Sequence, residues 1–192
     1  MNDNLSPVTP MNKIHPLFAL LCLATSSLLL APGCSSTATR ASTGEYIDDS
    51  VVTTKIKTDL VRDAATPGSA ISVETFKGRV LLSGFVDTAE QKVQASVVAT
   101  QVTGAKEVLN EILVKTNKST TGVFIDDSVI TTKVKAALLK ADGVPAAISV
   151  ETFRGLVLLS GFVDTAAQKT AAEAIAAKID NVNEVSNALV LK

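Results

Sequence analysis

The imidazole and thiol side chains that often carry catalysis or bind metals are confined to the first 34 residues of the chain. His15 is the only histidine, and Cys22 and Cys34 are the only cysteines. The rest of the sequence has no imidazole and no thiol, which excludes Ser-His-Asp and Cys-His nucleophilic sites there. Zinc sites built from His or Cys, haem ligation and iron–sulfur clusters are excluded for the same reason. The sequence therefore predicts no catalytic residue, no metal site and no cofactor, and it argues against an enzyme.

Carboxylates are the remaining groups that could do chemistry, and they include two adjacent pairs, Asp48-Asp49 and Asp126-Asp127. Such pairs could bind a hard cation, but no second cluster is spaced to complete an oxygen cage. Adjacent aspartates at a helix start are better explained as helix caps. A hydrolase that acts on sugars would need a pair of facing carboxylates, and the sequence offers no clear pair. A solvated surface role is expected for the two glutamates on predicted strands, Glu74 and Glu151.

Charge and composition narrow the class of protein further. The chain has 192 residues, of which 46% are hydrophobic and 19% charged, and its formal net charge is -1. Such a balanced charge provides no broad basic surface, so nucleic acid is not expected as a partner. The high apolar fraction excludes a mainly disordered chain. This length fits one ordinary domain or two small ones.

The N-terminal segment has the pattern of a secretory signal peptide. Lys13 provides a short positive region, and residues 17–31 form an apolar run that is short for a membrane span. Met11 is a plausible true start because residues 1–10 are polar. We interpret residues 1–33 as the signal peptide and the small, polar residues 34–45 as a flexible tether.

The end of this segment, Leu-Ala-Pro-Gly-Cys at residues 30–34, resembles a bacterial lipobox. The resemblance implies that Cys34 becomes the lipidated N-terminus. Because Ser35 follows it instead of an acidic residue, the resemblance also implies anchoring to the inner leaflet of the outer membrane. The alternative is an ordinary signal peptide that is cut after Ala38, which would remove Cys34 and leave a soluble periplasmic protein.

An internal duplication organises the rest of the chain. Residues 46–60 match residues 124–138, and residues 71–92 match residues 148–169 with differences only at 77/154, 79/156 and 90/167. Two modules follow, at residues 46–115 and 124–192, with residues 116–123 as the linker. Each module is near the lower size at which a domain folds alone, so we expect the two to dock.

Local patterns predict the same order of elements, αββαβ, in both modules. In the second module Asp126 can cap the first helix, and Arg154-Gly155 is a two-residue turn between two strands. Thr88 and Thr165 begin capping boxes of second helices, and residues 184–191 form the last strand. The crossover rule makes the second and third strands parallel. The fold class is therefore α+β, with two tandem modules that each have a three-stranded mixed sheet covered by two helices.

Two helices can cover only one face of so small a sheet. The opposite face would carry large apolar side chains, and these must meet the other module, a partner or lipid. Burial between the modules or under a helix is the favoured explanation. The residues concerned are Phe76, Leu81, Phe85, Phe153, Leu156, Leu158 and Phe162.

The hairpins carry a repeated pattern, Gly-x-Val-x-Leu-x-Gly-x-Val, at residues 78–86 and 155–163. This pattern in a duplicated αββαβ module resembles the BON domain, named for bacterial osmotically inducible and nodulation proteins. Together with the signal peptide and lipobox, the chain resembles the dual-BON outer-membrane lipoproteins. The resemblance implies a non-catalytic envelope protein that associates with phospholipid membranes and supports envelope integrity and osmotic or envelope stress tolerance. From the residues alone, the inward glycines Gly84 and Gly161 are expected to permit close packing against the helices.

A candidate lipid contact lies on the first helix of the second module. Asp59 and Asp63 of the first module are replaced there by Ala137 and Ala141, so this helix is locally more basic. Apolar side chains beside lysines suit an interface with anionic phospholipid headgroups, although an ordinary solvated helix has the same pattern. The predicted phospholipid-binding residues are Phe124, Val129, Lys133, Lys135, Ala136, Leu139 and Lys140.

Two functions remain open at this point. The first is a lipid-anchored periplasmic envelope protein whose partners are anionic phospholipids of the envelope, with outer-membrane proteins as further candidates. The second is a soluble periplasmic stress-response module that binds proteins through its exposed sheet face. Processing at Cys34 separates the two.

Overall fold

A computed structural model of the chain describes residues 43–115 and 126–192. The first module contains α1 (Thr43–Arg62), a 3-10 turn (Gly68–Ala70), β1 (Ile71–Phe76), β2 (Arg79–Val86), α2 (Ala89–Thr100) and β3 (Glu107–Val114). The second contains α3 (Asp127–Lys140), β4 (Ser149–Phe153), β5 (Leu156–Val163), α4 (Ala166–Ala176) and β6 (Glu184–Leu191). The predicted order αββαβ is thus confirmed twice, and both modules belong to one compact unit of the chain.

Each module contains one three-stranded mixed sheet. β2 pairs antiparallel with β1 and parallel with β3, and β5 pairs in the same way with β4 and β6. Lys77 and Gly78 have φ angles of 53° and 80°, and Arg154 and Gly155 have 51° and 76°. Two successive positive φ angles are typical of the tight turns that match the twist of a hairpin. The predicted two-residue turns are therefore confirmed.

A separate hydrophobic core lies between the sheet and the helices of each module. In the first module Ile56 and Leu60 of α1 are fully buried against the inner face of β2. In the second module Val134 of α3 occupies the matching place. The helical spacing of these side chains is the apolar stripe that the sequence predicted. Because this stripe of each helix is buried in the core, the opposite side of the helix faces solvent.

Helix starts agree with the sequence in three of four cases. The capping boxes of α2 and α4 are present, with the Thr88 and Thr165 hydroxyls accepting from Gln91 and Gln168. Asp126 caps α3 by accepting from the Ser128 backbone N–H at 2.9 Å. The expectation for module one was wrong, because α1 begins at Thr43, so that Asp48 and Asp49 lie inside it.

The outer faces of the two sheets pack against each other, as the apolar pattern predicted. Phe85 is 7% exposed, and Leu158 is 1% exposed in the same cluster. At the centre of the contact the hydroxyls of Ser83 and Ser160 share a buried hydrogen bond of 2.8 Å. The result is a stack of four layers, with helices outside and two sheets between them.

The docking is pseudo-symmetric, because equivalent side chains of the two modules meet in equivalent pairs. Phe76 lies 5.6 Å from Phe162, ring centre to ring centre, and the matching pair Phe85 and Phe153 has the same separation. Ser83 and Ser160 are also equivalent residues in the two copies. A pseudo-two-fold axis therefore passes through the interface, and it exchanges one module for the other.

Asn110 and Asn187, for which the sequence offered no account, fasten the third strand of each module to the second helix. Asn110 donates to the Lys92 carbonyl at 2.7 Å and accepts from the Ile112 backbone N–H at 3.2 Å. Asn187 makes the matching bonds to the Lys169 carbonyl and the Leu189 N–H. Each side-chain amide thus accepts a hydrogen bond from a backbone N–H on the outer edge of its sheet.

The expectation for the strand glycines needs correction. Gly84 and Gly161 have φ angles of 128° and 132°, in a region that side chains disfavour. A Cβ at Gly84 would collide with the Ala70 carbonyl and approach the Glu151 carboxylate of the other module. The bare backbone at Gly84 is therefore required by the Ala70 carbonyl just before β1, not by the helices that cover the sheet.

Candidate interaction surface on helix α3

Six of the seven predicted phospholipid-binding residues lie on the solvent side of α3. Val129 is 43% exposed and Leu139 is 65% exposed, and the four others are also exposed. Those four are Lys133, Lys135, Ala136 and Lys140. Phe124 lies outside the described residues, as does the predicted lipidation site Cys34.

This surface follows from how the core holds the helix. Ile130, Val134 and Leu138 recur at intervals of four residues and are 2%, 0% and 4% exposed. Side chains three or four residues apart share one face of a helix, so burying this stripe turns the opposite side outward. The outward side combines two large apolar side chains with three lysines.

Helix α3 contains no acid between its first turn and Lys140, and the exposed Asp142 follows two residues after Lys140. Among the described residues, Lys133, Lys135 and Lys140 are in no ion pair. The nearest acids in sequence are at the helix ends. Asp126 is held by the Ser128 backbone N–H, and this hydrogen bond lowers the pKa of its carboxyl. The lysine charges are therefore available to an external anion.

The matching helix of the first module, α1, has a similar outward side with more acid near it. Lys55, Lys57 and Arg62 stand where α3 has its three lysines, and Asp59 stands where α3 has Ala137. Asp63 is equivalent to Ala141 of the second module. Its carboxylate accepts a hydrogen bond from the Gln94 side-chain amide at 2.9 Å. The charge difference that the sequence predicted is carried by both Asp59 and Asp63, since the Gln94 amide that donates to Asp63 is neutral.

The second aspartate of each pair has a role that sequence reasoning missed. Asp49 accepts from the backbone N–H groups of Lys77 and Gly78 at 2.6 and 2.8 Å. Asp127 does the same for Arg154 and Gly155 at 2.7 and 2.9 Å. Each carboxylate thus clamps its first helix to the hairpin turn. The only available signal was that both aspartate pairs recur ahead of a hairpin turn, with the second aspartate 28 residues before Lys77 in the first module and 27 before Arg154 in the second.

The two strand glutamates lie between the modules, so the expectation of a solvated surface role was wrong. Glu151 accepts from the Ser72 hydroxyl of the first module at 2.7 Å. Glu74 reaches toward Gly161 of the second module and lines an open groove of about 530 Å³. Burial raises the pKa of the Glu74 carboxyl, and the charge of Lys57 opposes that rise in part.

Neither a metal-binding cluster nor a membrane-spanning helix is found in residues 43–115 and 126–192. No three His, Cys, Asp or Glu side chains in these ranges are grouped so that they could hold a metal ion. Every helix there is too short or too polar to cross a bilayer. The exposed apolar side chains and lysines make the outward side of α3 the candidate site.

Two αββαβ modules with this hairpin pattern define a class of protein, and a comparison with known families agrees. The BON domain family matches residues 48–116 and again residues 126–192. The chain belongs to the BON-domain family.

Similar proteins come from several bacteria. The Osmotically-inducible protein Y of Escherichia coli (strain K12) is 40% identical over 152 residues, which cover 78% of this chain and 75% of that protein. The Outer membrane lipoprotein DolP of Haemophilus influenzae is 34% identical over 145 residues, which cover 74% of each chain. The 21 kDa hemolysin of Actinobacillus pleuropneumoniae is 34% identical over 146 residues, which cover 75% of this chain and 74% of that protein.

Proposed function

We propose that this chain is a non-catalytic envelope protein that supports outer-membrane integrity or osmotic and envelope stress tolerance. The names of its relatives support an envelope or periplasmic location, since one is an outer membrane lipoprotein and another is osmotically inducible. The lipobox-like residues 30–34 support anchoring through a lipidated Cys34 on the periplasmic face of the outer membrane. The mature part of the chain would then work through its surfaces.

The proposed ligand of the outward side of α3 is anionic phospholipid. The observation that carries this proposal is the combination of three unpaired lysines with Val129 and Leu139, which are 43% and 65% exposed. An amphipathic helix of this kind lies in a membrane interface, with apolar side chains between the headgroups and lysines beside them. Each lysine near an anionic surface contributes about 1 kcal/mol, so three give a contact that anchoring would reinforce.

Co-sedimentation with vesicles tests the lipid contact. The full chain, with Cys34→Ser to prevent lipidation, is mixed with vesicles that contain phosphatidylglycerol or with neutral phosphatidylcholine vesicles. We expect binding to the anionic vesicles, and we expect Lys133→Glu with Lys140→Glu to weaken it. The matched control is Lys106→Glu with Lys178→Glu, which changes the net charge equally at two exposed lysines elsewhere. Equal loss in both double variants would contradict a site on α3.

Intact mass of the protein isolated from bacterial envelopes tests the anchor. A lipidated N-terminal Cys34 adds the mass of acyl chains, whereas cleavage after Ala38 gives an unmodified chain that begins at Thr39. The second result would favour the soluble periplasmic alternative. In that alternative the sheet face was the expected binding surface, but Leu81 and Phe162 on this face are 1% and 8% exposed, because the modules cover each other. Partners of a soluble form would have to use the helices.

A further inference from the structure

The open groove that contains Glu74 runs along the free edge of β1. Four consecutive residues of this strand, 73–76, line the groove. Successive side chains of a strand point to opposite faces of the sheet, so a groove that contacts all four must follow the edge of the strand. Helix α1 forms one wall and the second module forms the other. We call this site the β1 groove, and its walls are formed by Thr53 and Thr54 on one side and by Pro145, Ala147 and Phe162 on the other.

The backbone of β1 is open along this edge. β1 is the outermost strand of its sheet and pairs only with β2. In residues 43–115 and 126–192, no side chain or loop bonds to the backbone of residues 72–76. On β6, by contrast, Lys169 and Arg79 each donate to a carbonyl. An open edge strand accepts a further strand through main-chain hydrogen bonds, so the β1 groove offers donors and acceptors to an extended peptide.

The two modules differ in how one pair of equivalent carboxylates is satisfied. Glu151 accepts from the Ser72 hydroxyl of the other module at 2.7 Å. The pseudo-two-fold axis makes Ser149 the matching donor for Glu74, but among the described residues no group donates a hydrogen bond to Glu74. Burial raises the pKa of the Glu74 carboxyl, and the charge of Lys57 opposes this rise only in part. The Glu74 carboxylate is therefore the group in the β1 groove that lacks a donor.

The two other charged residues that line the β1 groove already have partners among the described residues. Asp49 clamps the hairpin turn through two backbone N–H groups, and Lys192 forms an ion pair with Asp164 at 2.9 Å. The unmatched charge of the lining is thus negative and lies at Glu74. Phe76 follows two positions later on the same side of β1, because side chains alternate along a strand. A strand beside β1 would meet a carboxylate and an aromatic ring at alternate positions.

We propose that the β1 groove binds an extended segment of a partner protein, which adds a strand to β1 and places a lysine or arginine against Glu74. An apolar side chain two positions along the segment would pack on Phe76 and Phe162, whose ring centres are 5.6 Å apart. A segment without the cation would leave the carboxylate covered and unpaired, so Glu74 also excludes other strands. This site is separate from the outward side of α3 and does not depend on the lipid contact.

Fluorescence anisotropy with short labelled peptides tests the site on the full chain carrying Cys34→Ser. One peptide has a central lysine, valine two positions away on each side and threonine at the positions between, and a second has glutamate in place of the lysine. The key variant is Glu74→Gln, and Glu151→Gln is the matched control at the equivalent position of the other module. Two further lysine peptides carry N-methyl groups on alternate amides, one peptide in each register. Each methylated peptide has lost the N–H donors along one edge only.

We expect the lysine peptide to bind about tenfold more tightly than the glutamate peptide. Glu74→Gln should remove most of this difference, while Glu151→Gln should keep it. One methylated peptide should lose binding and the other should retain it, which a purely electrostatic contact would not produce. Circular dichroism checks that each variant is folded.

Three results would overturn the proposal. The first is a preference for lysine that survives Glu74→Gln or that only Glu151→Gln removes. The second is an equal effect of methylation in both registers, which excludes strand addition. The third is no binding of the lysine peptide at millimolar concentration. If the chain instead self-associates and only Glu74→Gln abolishes this, the occupant of the β1 groove is a second copy and not a partner protein.

Discussion

The clamp between each first helix and its hairpin turn predicts a ranked series of stability losses. Asp49 is 7% exposed and accepts from two backbone N–H groups, one of which, that of Gly78, is buried. Its replacement by alanine leaves that N–H without a partner. Asp127 makes the same two bonds, but the N–H of Arg154 is exposed and that of Gly155 is half-buried. Water can therefore replace part of what Asp127 provides.

The expected magnitudes follow from these contacts. A hydrogen bond to a charged group contributes about 1.5–3 kcal/mol, and alanine regains roughly 0.5 kcal/mol because it favours the helix. We expect Asp49→Ala to lower the free energy of unfolding by about 3 kcal/mol and Asp127→Ala by about 2 kcal/mol. Asp126→Ala removes only an exposed helix cap, and its expected cost is about 1 kcal/mol. Since small domains have about 5–15 kcal/mol in total, the largest loss is readily measured.

Urea unfolding followed by circular dichroism provides the assay. The two modules can unfold separately, so amide hydrogen exchange should be used to assign each loss to its own module. Asp49→Asn keeps the shape and one acceptor oxygen, and it should recover part of the loss. A result in which Asp126→Ala costs as much as Asp49→Ala would refute the view that the second aspartate is the structural one.

Three further predictions concern the interface and the strand edges. The pKa of Glu74 is raised in the folded state, so the folded protein loses stability as pH rises from 4.5 through the folded pKa. Glu74→Gln should therefore raise Tm at neutral pH more than it raises Tm at pH 4. Glu151→Gln is the matched control. Equal changes in Tm at both pH values for Glu74→Gln would contradict the burial of its charge. Gly84→Ala should be more destabilising than Gly161→Ala, because a Cβ at Gly84 collides with the Ala70 carbonyl while one at Gly161 lies 3.1 Å from the Ala147 carbonyl; thermal unfolding that ranks them the other way would count against this reading. Asn110→Ala should cost about 1 kcal/mol and increase self-association in size-exclusion chromatography, because it frees an edge N–H; an unchanged elution volume and stability would speak against the bond.

Local patterns were enough to predict the elements and the solvent side of α3. Both hairpin turns, both capping boxes and the strand Glu184–Leu191 agree with the structure, because each depends on residues close together in the sequence. The exposure of Val129 and Leu139 followed from the period of the buried stripe. Periodicity reports which side of a helix is buried, and this requires no knowledge of the neighbouring elements.

The contacts that the sequence did not reveal join residues far apart in the chain. Asp49 and Gly78 are separated by 29 positions, and Ser72 and Glu151 by 79. The place of Glu151 depends on which residues of the two sheets meet, and composition does not define that register. Gly84 was assigned to the helix side for a related reason, because its constraint comes from the carbonyl of Ala70, which the sequence alone does not place beside it.

The side-chain amides on the third strands have a consequence for crowded chains. On β6 the Leu189 N–H is taken by Asn187, the Leu189 carbonyl by Lys169 and the Leu191 carbonyl by Arg79 of the first module. Backbone groups on an open edge would otherwise template the addition of a foreign strand. Proteins tethered to a membrane are concentrated in two dimensions, where such growth into fibrils would be fast. With the proposed anchor, the occupied groups of β6 would leave few sites at which a neighbouring copy could add a strand.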